Sequence, residues 1–303
     1  MITVFGSINM DLIATTERLP RPGETVAGRS FSTAAGGKGA NQALAATRAG
    51  ARVRMAGAVG ADNFADDALA LMTEAGTDLS FVRTASEPTG TAHILVGDDG
   101  ENVIVVVPGA NGAIGDGEAR AAIGAMNRGD LLMLQLEVPA SAVETALNAA
   151  RAAGIISLLN TAPLTPEAAE LSRLADIVVA NEHEFERLSG HDVLSPDERR
   201  DAMARLSAET GQTLVITLGA EGVIAIRDGQ FHEAMGLTIT PVDTVGAGDT
   251  FCGYLAAGLE AGLDFDRALR RAAIAGSLAC LAPGAQPAIP LAVEVDAAEA
   301  ENS

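Results

Sequence analysis

The chain has 303 residues, of which 20 are Lys or Arg and 40 are Asp or Glu, so its formal net charge is −20. This acidic balance argues against nucleic acid or an anionic membrane surface as a partner. Hydrophobic residues make up 48% of the chain and aromatic residues only 3%. Global disorder is therefore excluded, and the core must be built from Ala, Leu, Val and Ile.

The cysteines and the uncharged segments limit the cellular environment. Cys252 and Cys280 are too few for a disulfide framework and lack metal-ligand spacing, which favours buried thiols in a reducing compartment. No basic segment opens the chain as in a signal peptide. The uncharged segment 272–293 contains three prolines, which interrupt any membrane-spanning helix. We expect a soluble, cytoplasmic protein.

Short apolar runs alternate with Ala-rich segments of helical period along the chain. The predicted strands are Ile2–Phe5, Val53–Val59, Leu131–Leu136, Ile155–Leu159, Ile177–Val179, Leu214–Leu218 and Val223–Ile226. The predicted helices are Gly39–Ala49, Ala65–Ala75, Ala140–Ala153, Asp197–Glu209 and Ala247–Ala261. This alternation indicates an α/β fold with a mostly parallel sheet covered on both faces, in one principal domain.

Two segments do not follow the alternation. Gly23–Ser32 has no helical period and is predicted to be a strand, while Ala92–Val96 and Val103–Val107 form a predicted hairpin around a turn at 98–100. Together they predict a small antiparallel sheet that projects from the main body.

The segment Asp243–Phe251 (DTVGAGDTF) carries the strongest chemical signal. Its small residues allow backbone N–H groups to approach an anion at the start of a helix. Asp249 in the first turn suits a general base that deprotonates an alcohol attacking a phosphate. The alternative is a glycine-rich turn in which Asp249 is only a favourable carboxylate at a helix N-terminus.

Four further loops follow predicted strands or begin helices. The segment Ala35–Gln42 (AGGKGANQ) is not a Walker A loop, but it suits hydroxyl recognition. Asn9 and Asp11 follow the first strand and could bind a polyol or form an Asx turn. Asn181 and Glu184 suit a Mg²⁺–water–phosphate contact or an N-capped acidic helix. Residues 217–222 (TLGAEG) suit a nucleotide phosphate or ribose, or a plain turn. Because ligands of parallel sheets bind at the carboxyl ends of strands, all five loops are expected to converge.

These motifs resemble those of the ribokinase branch of the PfkB carbohydrate kinase family over essentially the whole chain. The two signatures are similar to residues 36–41 (GGKGAN) and 243–250, and residues 134–137, Asn181-x-x-Glu184 and 284–287 (GAQP) match in order and spacing. The resemblance implies a Rossmann-like three-layer core with a central, mostly parallel sheet in a single domain, 1–303. It also implies a β-sheet lid formed by residues of roughly 12–32 and 90–108, through which two subunits form a homodimer.

The resemblance further implies ATP-dependent phosphorylation of D-ribose at its primary 5-hydroxyl, with Asp249 as general base and Gly246, Ala247 and Gly248 as the anion hole. The sugar would be bound by Asn9, Met10, Asp11, Gly36, Gly37, Lys38, Gly39, Asn41, Glu137 and Asp249. ATP would be bound by Asn181, Thr217, Leu218, Gly219, Ala220, Glu221, Gly222 and Gly248. Glu184 would place Mg²⁺ through water, and a K⁺ ion would lie at Asp243, Val245, Ala279, Ala282, Gly284 and Ala288.

Two residues depart from the family pattern. Ala288 stands where ribokinases often have Ser, which removes one possible hydroxyl contact to K⁺, and Ala273 replaces a polar residue sometimes found beside the adenine. The alternatives are a deoxyribose, fructose or nucleoside kinase, a non-catalytic sugar sensor, and a dinucleotide oxidoreductase. A nucleoside site would need aromatic walls, yet Phe31 is the only aromatic residue in the predicted lid. No Gly-x-Gly-x-x-Gly follows the first strand, which weakens the oxidoreductase alternative.

Overall fold

A computed structural model describes residues 1–302, which form thirteen strands and eleven α-helices. The strands are β1 Ile2–Phe5, β2 Asn9–Thr16, β3 Gly28–Gly36, β4 Val53–Val59, β5 Asp78–Thr84, β6 Gly90–Gly97, β7 Asn102–Val107, β8 Leu131–Leu134, β9 Ile156–Asn160, β10 Ile177–Asn181, β11 Thr213–Thr217, β12 Val223–Arg227 and β13 Gln230–Ala234. The helices are α1 Lys38–Arg48, α2 Asn63–Ala75, α3 Asp116–Gly124, α4 Ala140–Ala153, α5 Ala168–Ser172, α6 Glu182–Leu188, α7 Pro196–Thr210, α8 Ala247–Glu260, α9 Phe265–Ala279, α10 Ala285–Ala288 and α11 Ala292–Glu301.

Nine strands form the large sheet, in the order β13-β12-β11-β10-β9-β8-β1-β4-β5. From β5 to β11 every neighbouring pair is parallel, and the β12–β13 hairpin adds an antiparallel edge. Because parallel strands end at the same edge, the loops after β1, β9, β10 and β11 lie on one side of the sheet. This arrangement confirms the predicted α/β fold with a mostly parallel sheet.

The core lies in two layers, one on each face of the large sheet. Leu131 and Met133 of β8 belong to the layer that includes α1, α8 and α9, whereas Leu132 and Leu134 belong to the layer that includes α3 and α4. Successive side chains of a strand point to opposite faces, so an uninterrupted apolar strand supplies both layers. The three-layer prediction is confirmed.

The remaining four strands form a separate small sheet in the order β3-β2-β6-β7. The prediction of a purely antiparallel sheet is wrong in one respect, because β2 and β6 pair in parallel while the two outer pairs are antiparallel. The predicted strand Gly23–Ser32 is displaced to Gly28–Gly36, and Asn9 opens a strand instead of lying in a loop. The strand predicted to run to Leu136 ends at Leu134.

The segments that the sequence left without elements also fold. Strands β5 and β13 and helix α9 were not predicted, although α9 has one apolar and one polar face at the helical period. Within residues 1–302, no helix is both long and apolar enough to cross a lipid bilayer.

Candidate active site

The amino terminus of α1 rests against the end of β1. Gly37, with φ 89°, precedes the helix, and a Cβ on Gly39 would lie 2.6 Å from the Ser7 nitrogen. Glycine at position 37 permits the positive φ, and glycine at position 39 permits the close approach. The glycines therefore bring Lys38 and the first turn of α1 to the carboxyl edge of the large sheet.

The amino terminus of α8 lies at the same edge. Gly246, with φ 78°, precedes the helix, and a Cβ there would lie 2.8 Å from the Ala285 Cβ. Gly248 is exposed, with no atom within 4 Å of the position that a Cβ would occupy, whereas Asp249 in the same turn is buried. The Ala247 N–H donates to the Thr244 carbonyl at 3.3 Å, so part of the predicted anion hole is already engaged in a turn.

Asp249 is held by two neutral amides from α1. Asn41 Nδ2 donates to Asp249 Oδ2 at 2.9 Å, and Gln42 Nε2 donates to Asp249 Oδ1 at 3.0 Å. Asn41 and Asp249 are 208 positions apart in the chain. The predicted base and the predicted sugar-binding segment thus meet in one buried contact.

A chain of buried amides extends behind this contact. Gln42 Nε2 also donates to Asn160 Oδ1 at 3.1 Å, and Gln42 Oε1 accepts from Gln135 Nε2 at 2.6 Å. Asn160 Nδ2 donates in turn to the Val179 carbonyl at 3.2 Å. Gln42, Gln135 and Asn160 were not predicted as site residues. The only signal in the sequence was that Gln42 and Gln135 lie within the motifs 35–42 and 134–137.

Three carboxylates, those of Asp11, Glu137 and Asp249, interact with the charge of Lys38. Glu137 Oε2 accepts from the Lys38 backbone N–H at 3.0 Å and from Ser7 Oγ at 2.5 Å. Burial, reinforced by the charges of Glu137 and Asp249 and opposed by Lys38, raises the pKa of Asp11 to about 6. The charge of Asp249 is the largest influence on Lys38 and raises the pKa of its ammonium, although burial opposes that shift.

Asn9 and Asp11 share one face of β2 beside this cluster. Asn9 Oδ1 accepts from Nδ2 of the buried Asn111 at 2.7 Å, and Asn111 also bonds both backbone groups of Ile8. A Cβ on Gly36 would lie 2.5 Å from the Asp11 carboxylate, so glycine leaves space for it. Met10 differs, because its side chain is part of the apolar core. Asn111 was not predicted, since a lone Asn after a strand carries no motif.

A cavity of about 220 Å³ opens next to Asp249. Its lining combines residues from six elements and the loops beside them: Lys38, Asn160, Ala162, Val179, Ala180, Asn181, Glu184, Thr217, Thr244, Gly246, Gly248, Asp249 and Cys252. Asp11, Glu137 and Asn9 are not among the lining residues. Glu137 accepts from the backbone N–H of the lining residue Lys38, and the charge of Asp249, which also lines the cavity, acts on Asp11. Asp249 therefore lies between the small-sheet cluster and this cavity.

Asn181 and Glu184 form a reciprocal cap at the start of α6. The Glu184 N–H donates to Asn181 Oδ1 at 2.8 Å, and the Asn181 N–H donates to Glu184 Oε2 at 2.9 Å. Burial raises the pKa of Glu184 against the effects of the Asn181 hydrogen bond and the Lys38 charge. The N-capped helix start and the carboxylate facing the cavity are thus both present.

The loop after β11 turns sharply around two glycines. Gly219 has φ 57° and Gly222 has φ 86°, and a Cβ on Gly222 would overlap the Ala234 carbonyl. Thr217 lines the cavity beside Asp249, whereas Leu218 and Glu221 line a second cavity of about 680 Å³ bordered by α7 and α9. Ala220 lies in the single 3-10 turn that joins β11 to β12.

The segment before α8 is hydrogen-bonded to the residue that precedes α10. Asp243 Oδ1 accepts from the Val245 N–H at 3.0 Å, and Oδ2 accepts from the Gly284 N–H at 2.9 Å. Ala279 is the last residue of α9, and Ala288 is buried in α10. Within residues 1–302, no cluster of three or more His, Cys, Asp or Glu side chains has metal-binding geometry.

The fold and the site define a sugar kinase architecture, and residues 1–292 match the sequence model of the pfkB family carbohydrate kinases. The chain therefore belongs to this family. It is 37% identical to the ribokinase of Haemophilus influenzae over 290 residues, covering 95% of both chains, and 37% identical to that of Bacillus subtilis over 296 residues, covering 97% of this chain and 98% of that one. The structure of Arabidopsis thaliana ribokinase complexed with ribose and ATP superimposes with a TM-score of 0.87 at 32% identity, covering 98% of this chain and 97% of that one.

Proposed function

We propose that this chain transfers the γ-phosphoryl group of ATP to the primary 5-hydroxyl of D-ribose. The observation that carries the proposal is the position of Asp249, whose buried carboxylate lies between a polar cluster on the small-sheet side and a cavity lined by Asn181 and Thr217. The similarity to ribokinases over nearly the whole chain supports the same acceptor.

In the proposed reaction, the sugar hydroxyl oxygen attacks the γ-phosphorus in line. A bond forms between that oxygen and phosphorus, the bond from phosphorus to the β,γ-bridging oxygen breaks, and ADP leaves with the electron pair. Asp249 accepts the hydroxyl proton. Lys38 and the N–H groups of Gly246 and Gly248 then face the negative charge that spreads over the transferred group.

The sugar would occupy the small-sheet side of Asp249. Asp11 and Glu137 offer carboxylate acceptors, and Asn41 Oδ1 is buried without a hydrogen-bond partner among the described residues while its Nδ2 is engaged by Asp249. A sugar hydroxyl would satisfy that oxygen. Such a densely polar site fits a free sugar better than a nucleoside, whose base requires an aromatic or apolar surface.

The residues present fit a Mg²⁺ ion held through water. Glu184 is a buried carboxylate that lines the cavity, and burial raises its pKa against the opposing charge of Lys38. Asn181 and Glu184 would hold the hydrated ion, which when bound neutralises charge on the phosphates. The capping hydrogen bonds of Glu184 fix its carboxylate towards the cavity.

The residues around Asp243 also fit a monovalent cation. The last carbonyls of a helix have no intrahelical partner and carry the negative end of its dipole, and Ala279 provides one at the end of α9. We propose that K⁺ binds Asp243 and the carbonyls of Val245, Ala279, Ala282, Gly284 and Ala288. Turnover should then rise with KCl and not with LiCl at equal ionic strength, and an equal response to both salts refutes the site.

We propose that the small sheet is a lid on the sugar site and the surface of a homodimer. All six residues of β7 are exposed, as is Phe31 at 69%, so the sheet presents an apolar face and an unpaired edge. Closure of the lid would exclude water as a competing acceptor. Sedimentation should give a dimer that Val105→Lys dissociates, whereas a monomeric unaltered chain contradicts the proposal.

We also propose a cytoplasmic location, because both cysteines are free and buried. Fractionation of cells that express the chain tests this location, and recovery from the extracytoplasmic fraction contradicts it.

The deciding experiment measures ADP release with MgATP over ribose, deoxyribose, fructose and adenosine. The proposal expects the highest kcat/KM for ribose, and a roughly 10²–10⁴-fold lower kcat in Asp249→Asn with ribose binding retained. Preference for another acceptor would overturn the sugar assignment alone. Full turnover in Asp249→Asn would overturn the assignment of the base.

A further inference from the structure

The contact between α1 and α8 sets the orientation of the proposed base. Asp249 and Gly253 are four positions apart and share one face of α8. A Cβ on Gly253 would lie 2.8 Å from the Gln42 carbonyl oxygen and 2.5 Å from the Ala45 Cβ. The absence of that Cβ lets α1 approach closely enough for the Gln42 side chain to reach Asp249.

The Gln42 amide has only one orientation that satisfies its neighbours. The Asp249 carboxylate only accepts hydrogen bonds, so the Gln42 nitrogen must face Asp249 and Asn160, and the Gln42 oxygen then accepts from Gln135 Nε2. The two hydrogens of Nε2 match these two acceptors. Gln42 and Gln135 are both fully buried, so water does not compete for these groups.

Building on the proposed function, we propose that Gln42 is a positioning residue for the base and that Gln135 acts only through Gln42. Hydrogen bonds to both carboxylate oxygens, from Asn41 and Gln42, fix the rotation of the Asp249 carboxylate. Asn41 and Gln42 are neutral donors, so they orient the carboxylate without forming an ion pair with it. The carboxylate is thereby oriented towards the hydroxyl and remains able to accept its proton.

The test compares Gln42→Met and Gln135→Met with Gln212→Met as a matched control. Gln212 is a buried glutamine far from the site, and its Nε2 donates to the carbonyls of Ser172 and Ala175 at 2.6 Å each. Each variant loses buried amide hydrogen bonds without a large change in volume. All three should lose thermal stability, and only the first two should lose turnover.

For Gln42→Met we expect a roughly 10- to 100-fold fall in kcat, with KM for ribose and ATP changed by less than about threefold. Gln135→Met should give a smaller fall, and the double variant should be no slower than Gln42→Met. A structural role alone would lower thermal stability without this separate loss of kcat at nearly unchanged KM.

A kcat within about twofold of the parent in Gln42→Met, or additive losses in the double variant, overturns the inference. If Gln42→Met does not fold, the kcat of Gln135→Met tests the inference, because Gln135 contacts Gln42 and not Asp249. Asp249→Asn in the same series separates the two proposals. An inactive Asp249→Asn beside a fully active Gln42→Met refutes the positioning role alone, whereas an active Asp249→Asn refutes the base and with it the positioning role.

Discussion

Replacing Gly253 with alanine tests the α1–α8 contact directly. The new Cβ would lie 2.5 Å from the Ala45 Cβ and 2.7 Å from the Ala46 nitrogen. Carbon atoms in ordinary contact are about 3.5–4.0 Å apart. Neither neighbour is the tip of a flexible side chain, so the two helices must separate by about 1 Å.

The expected effect on stability is small, because two contributions oppose each other. Alanine is more favourable than glycine inside a helix by about 1 kcal/mol, while overpacking a core costs about 1–3 kcal/mol. The free energy of unfolding should therefore fall by no more than about 2 kcal/mol. Activity should fall much further, since a displacement of about 1 Å at a catalytic group costs roughly 100-fold in rate.

The assay is kcat for ADP release alongside urea unfolding, with Gly117→Ala as control. Gly117 is exposed near the start of α3, and no atom lies within 4 Å of its would-be Cβ. The control should be as stable as the parent or more so, and fully active. A Gly253→Ala variant that is both stable and active would refute the claim that this approach orients Asp249.

Three further changes have distinct signatures. The pKa of Asp11 is about 6 in the native chain and 3.8 in the unfolded chain, so the contribution of Asp11 to stability falls as pH rises through this window. Asp11→Asn should therefore raise Tm at neutral pH, with little change below about pH 4. An equal shift of Tm at both pH values would contradict this prediction. Arg48→Met removes hydrogen bonds to the Gln286 and Ile289 carbonyls at 2.9 and 2.6 Å. The free energy of unfolding, measured in urea, should fall by about 2 kcal/mol, and an unchanged urea midpoint would contradict this expectation. Glu184→Gln should raise the Mg²⁺ concentration needed for half-maximal turnover by roughly tenfold, and an unaltered Mg²⁺ titration would exclude its role.

The sequence predicted the motif loops of this site well because each depends on local features. A strand followed by small residues and a helix start can be read within about ten positions, as around Asp249 and Glu184. The convergence of these loops followed from the geometry of a parallel sheet. Asn9 and Asp11 also fall on one face as expected, although they lie on a strand of the small sheet instead of in a loop.

The buried amides could not be predicted in the same way. Gln42 acquires its role from Gln135, 93 positions away, and from Asp249, 207 positions away. Nothing in the composition around Asn160 or Asn111 distinguishes a side chain in such a network from an exposed one. Met10 shows the converse, because its place within a motif suggested sugar contact while its side chain packs in the core.

The strand order of the large sheet has a consequence for how the chain folds during synthesis. From β8 to β13 each strand pairs with the next one made, so this half of the sheet can grow stepwise as the chain emerges. Strand β1 is made first but pairs with both β4 and β8, so one of its neighbours, beginning at Leu131, is completed much later. The nascent chain must therefore keep an apolar strand from aggregating until the centre of the sheet can close around it.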